Sequence, residues 1–453
     1  MGLGATGLSL VRFLTKRGAR VCVVDGSPSA PGRDQLLKEF PDVDFRAVDV
    51  TRDALPASDF IALSPGVPRS SQAIATHLRS GTPVTGDIEL FAREVQESAD
   101  VFAVTGSNGK TTTTALAGEL AKCARADARV AGNIGIPILD ALDETPNCST
   151  WVLELSSFQL ESTQSLALQS AAVINVTDNH LDRYPSFFAY AASKERIFMR
   201  ARRRVLNRAD MWSMSMRRPA LDVVTFGADR PGGPADYGID ASGGDMLLMC
   251  GSCPITEVST LGIAGSHNVQ NALAALALTS SLGVTGGDQR ETLRKFQGMP
   301  HRYQYLGRID GVRLIDDSKA TTVVATRSAL DGLTAPTWLI AGGDGKGQEF
   351  SALGKAARAH CKAVHLIGRD APAIAASLDV AGVHNETFAS LQDATWGALD
   401  KAVAGDQILL SPACASWDMF RNYSHRADVF VSAATEWASS RGKTFERRAE
   451  GAQ

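Results

Sequence analysis

The stretch VFAVTGSNGKTTTT, residues 101–114, decides how the chain is read. An apolar run, 101–104, gives way to Gly106-Ser107-Asn108-Gly109, then to Lys110 and a helical pattern that continues to residue 121. Strand, glycine turn and helix in that order supply what a polyphosphate needs: inward backbone N–H groups, a lysine charge, a hydroxyl for Mg²⁺ and a helix N-terminus. The strict spacing G-x-x-x-x-G-K-[ST] is not met, because Val104 stands five places before Gly109. The order of elements nevertheless predicts an ATP site on an α/β sheet, with Gly106, Ser107, Asn108, Gly109, Lys110, Thr111 and Thr112 around the phosphates. The competing reading is an ordinary strand-turn-helix with a chance lysine.

Two neighbouring runs end in groups suited to metal-assisted phosphate chemistry. Glu154 closes TWVLE, and His180 lies in INVTDNHLDRY. A carboxylate suits Mg²⁺ and an imidazole can hold a second divalent ion. Taken singly, Glu154 also reads as a turn cap and His180 as a loop hydrogen bond. Gly2, Gly4 and Gly7 spell G-x-G-x-x-G, and Asp25 follows 25 − 7 = 18 residues later. That is the dinucleotide fingerprint, which belongs after a strand. Only Met1 precedes it, so the N-terminal domain is expected without its first strand. A nicotinamide enzyme would also leave the loop at 106 unexplained.

The chain has 453 residues, which at ~150 per domain predicts three domains. Breaks in periodicity put these at 1–95, 96–297 and 298–453, each α/β. The last begins with a hairpin across Asp310-Gly311. Arg200, Arg202, Arg203 and Arg204 read as the solvated last turn of a helix. Forty-six Lys and Arg against 49 Asp and Glu leave a net charge of −3, which excludes a strong global pull on nucleic acid or anionic membrane. No apolar run reaches the ~18 residues of a membrane helix, and no basic-then-apolar leader is present. Seven scattered cysteines form no disulfide framework, so a cytoplasmic chain with reduced thiols is expected.

With both glycine loops in view, the sequence resembles the Mur ligases nearly end to end. The carrying segments are GLGATGLS (2–9), SPGV (64–67), GDIELF (86–91), TGSNGKTTT (105–113), GNIG (132–135) and LELSSFQLE (153–161), followed by NHLDRY (179–184), GSHNVQNALAALAL (265–278), PHRYQ (300–304), DDSKAT (316–321), GGDGKGQEF (342–350) and LLSPACASWDMF (409–420). Their order and spacing are specific as a set, and SPACAS with DSKAT points to the members that add D-glutamate.

The resemblance implies a Rossmann-like UDP-sugar domain, a central ATPase domain and a C-terminal Rossmann-like domain that closes over the site. It implies a cytoplasmic monomer that joins D-glutamate to UDP-N-acetylmuramoyl-L-alanine through an acyl phosphate in peptidoglycan precursor synthesis. Lys110, Glu154, His180 and Lys194 would carry catalysis. Thr111, Glu154 and His180 would hold two Mg²⁺, with a CO₂-derived carbamate on Lys194. Asn268, Arg302 and Asp317 would touch ATP. Ala5, Thr6, Asp25, Ser64 and Asn133 would face the UDP-sugar, and Lys319, Thr321, Lys346, Ser416, Trp417 and Tyr423 the incoming amino acid. Asn179 and Gly26-Ser27 depart from the family's usual residues, as does Tyr423, where Phe is common. Alternatives are another ligase of the Mur or folylpolyglutamate type, or a catalytically silent nucleotide-binding homologue.

Overall fold

The computed structural model describes residues 1–49, 53, 55–96, 98–177, 183–219, 221–263, 265–331, 333 and 335–447. The chain divides into two units, Met1–Glu257 with Asn271–Arg290, and Val258–Gln270 with Glu291–Gln453.

In the first unit the opening glycines lead into the helix Ala5–Lys16, which is followed by β1 (Cys22–Asp25), β2 (Asp44–Ala47), β3 (Ile61–Leu63) and β4 (Val84–Gly86). β1 pairs in parallel with β2, and β3 with β4, as two separate two-stranded sheets. Residues before Ala5 form no strand element, yet Met1 and Gly2 bond to both sheets: the Met1 amine to Ala62 O at 2.6 Å and the Gly2 amide to Val24 O at 2.8 Å.

The rest of the first unit is a nine-stranded sheet. Its strands are β5 (Asp100–Thr105), β6 (Arg129–Gly132), β7 (Thr150–Glu154), β8 (Leu168–Val173), β9 (Ala201–Asn207), β10 (Asp222–Phe226), β11 (Tyr237–Asp240), β12 (Leu247–Cys250) and β13 (Cys253–Glu257), in the order β13-β12-β11-β10-β9-β8-β5-β7-β6. Central parallel strands are covered on both faces, so they need unbroken apolar runs rather than alternation. Val101, Phe102, Ala103 and Val104 of β5 and Trp151, Val152 and Leu153 of β7 are all buried. From β5 the chain fills β6 and β7 on one side and then crosses to β8 on the other. Such a reversal opens a crevice at the carboxyl ends of the strands.

The arginine cluster departs from expectation. Arg200 stands in the turn before the strand β9, and the other three lie on β9 itself, not on a helical last turn: Arg203 pairs with Asp222 at 2.8 Å, and buried Arg204 donates to Met216 O at 2.7 Å. Alternation along a strand sends adjacent arginines to opposite faces, which an argument from charge alone cannot anticipate.

The N-terminal lobe is fastened to the nine-stranded sheet by polar contacts within the same unit. Arg12 bridges Glu39 at 2.6 Å and Asp140 at 3.0 Å, while Gln159 donates to Asp87 at 3.2 Å. Burial raises the Asp87 carboxyl to about 6.

The second unit holds β14 (Gln304–Ile309), β15 (Val312–Asp316), β16 (Thr337–Gly342), β17 (Cys361–Ile367), β18 (Asn385–Thr387), β19 (Gln407–Leu410) and β20 (Phe445–Arg447), in the order β18-β17-β16-β19-β15-β14-β20. The expected hairpin is β14-β15, and both turn residues, Asp310 and Gly311, have positive φ. Gly342 ends β16 at φ +118°, where an added Cβ would lie 2.0 Å from Ile367 O. Gly342→Ala is therefore expected to lower stability by roughly 3 kcal/mol, read as an earlier urea midpoint for the second unit.

Candidate functional site

The phosphate loop forms as read: β5 ends at Thr105, residues 106–109 turn, and the helix Lys110–Ala124 begins. Two positions admit only glycine. A Cβ on Gly106 would meet Ile174 Cγ1 at 2.5 Å, and Gly109 has φ +79° with Asn271 Oδ1 2.4 Å from where a Cβ would stand. The loop is held from β8's side by Asn175. Its Oδ1 accepts the amides of Ser107 and Asn108, both at 2.9 Å, and its Nδ2 donates to Asn108 O at 3.0 Å. Ser107 is buried, its Oγ donating to Thr177 O and lying 3.0 Å from Tyr190 OH. Thr111 and Thr112 are buried in the helix's first turn.

Two lysines converge on one carbonyl. Lys110 Nζ donates to Gly106 O and Ser107 O, each at 3.0 Å, and Lys194 Nζ donates to Gly106 O at 2.8 Å. Lys194 comes from the helix Phe187–Glu195, is 2% exposed, and rests over the Tyr190 ring. Burial first, and the Lys110 charge second, push its amine well below the ordinary lysine value. A neutral amine is nucleophilic towards CO₂, and the resulting anion suits a divalent cation.

Glu154 ends β7, the strand beside β5, and is 2% exposed. Its Oε1 accepts from Asn133 Nδ2 at 2.9 Å, and its Oε2 is buried with no partner among the described residues. An orphaned carboxylate oxygen is costly unless something positive meets it. The Thr111 hydroxyl and the Glu154 carboxylate are oxygen donors of the kind Mg²⁺ takes, and Lys194 would join them only as a carbamate. Gly132, at φ +104°, lets Asn133 reach Glu154, since a Cβ there would fall 2.3 Å from Glu154 O. His180, with Asp178 and Asn179, lies outside the described residues. No cluster of three metal-ligating side chains occurs among the described residues.

In the N-terminal lobe, Asp25 accepts the Leu3 amide at 2.7 Å and the Ser27 amide at 2.8 Å. The Ser64 amide donates to Met1 O at 2.9 Å, and Gly2 abuts Ser64 so closely that a Cβ would come within 2.9 Å of it. The glycine opening therefore gathers Asp25 and Ser64, with Ala5 exposed and Thr6 half-buried at the helix start.

The second unit assembles its candidates at the carboxyl edge of β15, β19 and β16. Asp317 accepts Ser411 Oγ at 2.7 Å and the Tyr303 amide at 3.1 Å, and burial raises its carboxyl to about 7. Lys319 Nζ lies 3.6 Å from the Tyr423 ring centroid. Thr321 is half-buried, Ser416 buried and Trp417 68% exposed. Exposed Lys346 has φ +53°, in a turn pinned by paired bonds between Asp344 and Ala415. Half-buried Arg302 and buried Asn268 belong to this unit, and their neighbours Tyr303 and His267 meet edge to face.

Several contributing residues were not singled out from sequence. His301 links Asp316 at 2.7 Å to Ser424 at 3.1 Å. Arg426, fully buried, feeds Ser318 Oγ, Ser318 O and Cys414 O. Arg183 grips the carbonyls of Pro65, Gly66 and Val67 at 3.1 Å. Asn175 alone had a readable signal, a polar group directly after an apolar run beside the loop strand.

Three family models match the chain: a MurD-like Mur ligase N-terminal domain over residues 1–86, a Mur ligase middle domain over 104–279 and a Mur ligase glutamate ligase domain over 301–414. A protein of Methylobacillus flagellatus named UDP-N-acetylmuramoylalanine–D-glutamate ligase is 47% identical over 436 residues, 96% of each chain. One of the same name from Thiobacillus denitrificans is 44% identical over 98% of this chain and 97% of its own. Among solved structures, the UDP-N-acetylmuramate-alanine ligase of Thermotoga maritima is similar with a TM-score of 0.59 at 21% identity, covering 96% of this chain and 97% of that one. That likeness concerns the fold.

Lys194→Met is expected to leave the protein at least as stable while abolishing turnover. With CO₂ excluded, the depressed amine makes the unmodified chain bind fewer protons folded than unfolded, so its stability rises with pH up to the unfolded lysine value of 10.5. The variant's advantage in urea midpoint should shrink between about pH 7 and about pH 10.

Proposed function

The chain belongs to the Mur ligase family and joins D-glutamate to UDP-N-acetylmuramoyl-L-alanine in peptidoglycan precursor synthesis, and we propose that it does so through an acyl phosphate on three α/β domains, 1–95, 96–297 and 298–453. The family uses ATP. The observation that carries the mechanistic reading is the meeting, at one sheet edge, of a glycine-only loop, Lys194 on Gly106 O at 2.8 Å and Glu154 with an oxygen that has no partner among the described residues.

A carboxylate does not accept an amine, because its leaving group would be oxide. Attack by the alanine carboxylate on the γ-phosphorus breaks the bond to ADP and yields a mixed anhydride. The D-glutamate amine then attacks the acyl carbon, phosphate leaves with the bonding pair, and the nitrogen sheds a proton.

The chain's task is positioning and charge balance. Loop amides 106–109, Lys110 and the helix N-terminus hold the β- and γ-phosphates, with Thr112, Asn268, Arg302 and Asp317 completing nucleotide contacts. Thr111, Glu154, His180 and a carbamate on Lys194 would hold Mg²⁺, which would supply charge neutralisation at the transferring phosphoryl group. The Lys194 amine, pushed well below the ordinary lysine value, would become an anion by adding CO₂ and losing a proton. Asn133 orients Glu154 and faces the muramoyl group, with Ala5, Thr6, Asp25 and Ser64 on the UDP side. For D-glutamate, Lys319, Lys346, Thr321 and Ser416 offer charge-assisted donors to its carboxylates, with Trp417 and Tyr423 walling the pocket. We place the enzyme in the cytoplasm as a monomer, with no nucleic-acid partner. Among the described residues no helix is long and apolar enough to cross a membrane.

Phosphate release is expected only when UDP-N-acetylmuramoyl-L-alanine and D-glutamate are both present; equal turnover with L-glutamate, or with no amino acid, overturns the reading. Lys194→Ala should lose at least about a hundredfold in rate. A short added carboxylic acid should restore part of it, and no recovery counts against the carbamate.

A further inference from the structure

The segment Cys250-Gly251-Ser252-Cys253 takes no part in the ligase chemistry above. It is the turn of the β12-β13 hairpin, and Cys250 and Cys253 are direct partners across it, the last pair of that ladder. Partners in an antiparallel ladder send their side chains to the same face. Their Cα atoms stand about 5.5 Å apart when the pair exchanges both backbone bonds and about 4.5 Å when it does not. Either spacing lies inside the window of about 4.4–6.8 Å that a disulfide spans. Among the described residues no other two cysteines are opposed in this way: Cys22 faces Asp44, Cys361 faces Thr337, and Cys123, Cys148 and Cys414 lie outside the strands.

The pair is held in this register from three sides. Gly251 has φ +55° while Ser252 stays out of the positive region, as a two-residue hairpin turn with glycine first requires. The Gly251 amide donates to Asp236 O at 2.8 Å, and a Cβ on Gly251 would fall 2.5 Å from Pro234 O, so the turn is seated on the segment before β11. Pro254 follows Cys253 and confines it to extended backbone, which a proline on the edge strand β13 can do without breaking the sheet. Access differs between the two thiols. Cys253 is exposed, whereas Cys250 is half-buried, with Sγ 3.9 Å from Pro234 O and the buried Tyr237 as its partner on β11. No third metal-ligating side chain joins them among the described residues, so the two thiols fall short of a closed zinc site.

We propose that Cys250 and Cys253 form a redox modification site, a dithiol that low-molecular-weight disulfides convert into a bridge across the hairpin. The Cys253 thiolate attacks one sulfur of the small disulfide, and the other sulfur leaves as a thiolate. The Cys250 thiolate then attacks Cys253 Sγ and expels the second small thiolate. The chain loses two protons and two electrons, and the small disulfide gains both as two thiols. An exposed bridge over so short a turn is the labile kind, reopened by excess thiol rather than permanent. Its closure ties the edge strand β13 to β12 just before the chain passes, after Glu257, into the second unit.

The test treats the reduced full chain with oxidised glutathione and follows it by mass spectrometry, intact and as peptides spanning 250–253. The product should be the chain less two hydrogens, bridged between Cys250 and Cys253, and dithiothreitol should restore the starting mass. Cys250→Ser should instead accumulate one glutathione on Cys253. At this pair the ratio of bridged to singly glutathionylated form should be at least about tenfold higher in the native chain than in the same chain unfolded in urea, because the hairpin raises the effective concentration of one thiol at the other. Equal ratios in the two states overturn the proposal. So does a lasting glutathione adduct on Cys253 of the unaltered chain, a bridge from either residue to another cysteine or another chain, or a pair left as thiols. No substrate enters these measurements, so their failure is separate from failure of the ligase mechanism.

Discussion

Two lysine Nζ atoms share the carbonyl of Gly106, and the arrangement of the first unit's site follows from that crowding. Like charges at hydrogen-bond distance from a common acceptor repel, and one of the pair sits where water cannot screen it. Burial first, and the Lys110 charge second, push the Lys194 amine well below its ordinary value. A buried amine beside a phosphate loop forgoes solvation without an ion pair, which is costly. Glu154, one strand away, has a buried oxygen with no partner among the described residues.

The same construction is repeated in the second unit with different cargo. There, as in the nine-stranded sheet, the chain reverses direction about a central strand, and polar loops gather at the carboxyl ends. Gly342 and Gly343 have positive φ where β16 meets its neighbours, and the loop beyond them bonds back to the segment after β19. The backbone thus settles the positions of Lys346 and Ser416 before any side chain acts. The polar anchors of the N-terminal lobe, Arg12 and Gln159, work at longer sequence range and fix helices rather than loops.

The loop at 106, the hairpin at 310 and most strands were legible because each rests on local chemistry: glycine at positive φ, a turn pair, an unbroken apolar run. The arginine cluster misled because four charges say nothing about period, and β9 is fixed by β8 and β10 on its flanks. Lys194 could be suspected only by resemblance, since its burial comes from packing against Tyr190 and the loop, 88 residues away in sequence. His301 and Arg426 were invisible for the same reason: their partners are set by strand order, which single residues do not encode.

Arg426 has a consequence at a distance. Its guanidinium is fully buried, bonds only neutral oxygens and, though burial lowers it to about 10, remains charged at neutral pH. No carboxylate among the described residues is in contact with it, and Asp418 and Asp316 act on it only at longer range. Dissolved salt does little to damp a charge buried in this way. The turn Ser318-Lys319 and the segment holding Cys414 are therefore held by a cation whose grip on their oxygens should persist in brine that silences the surface lysines.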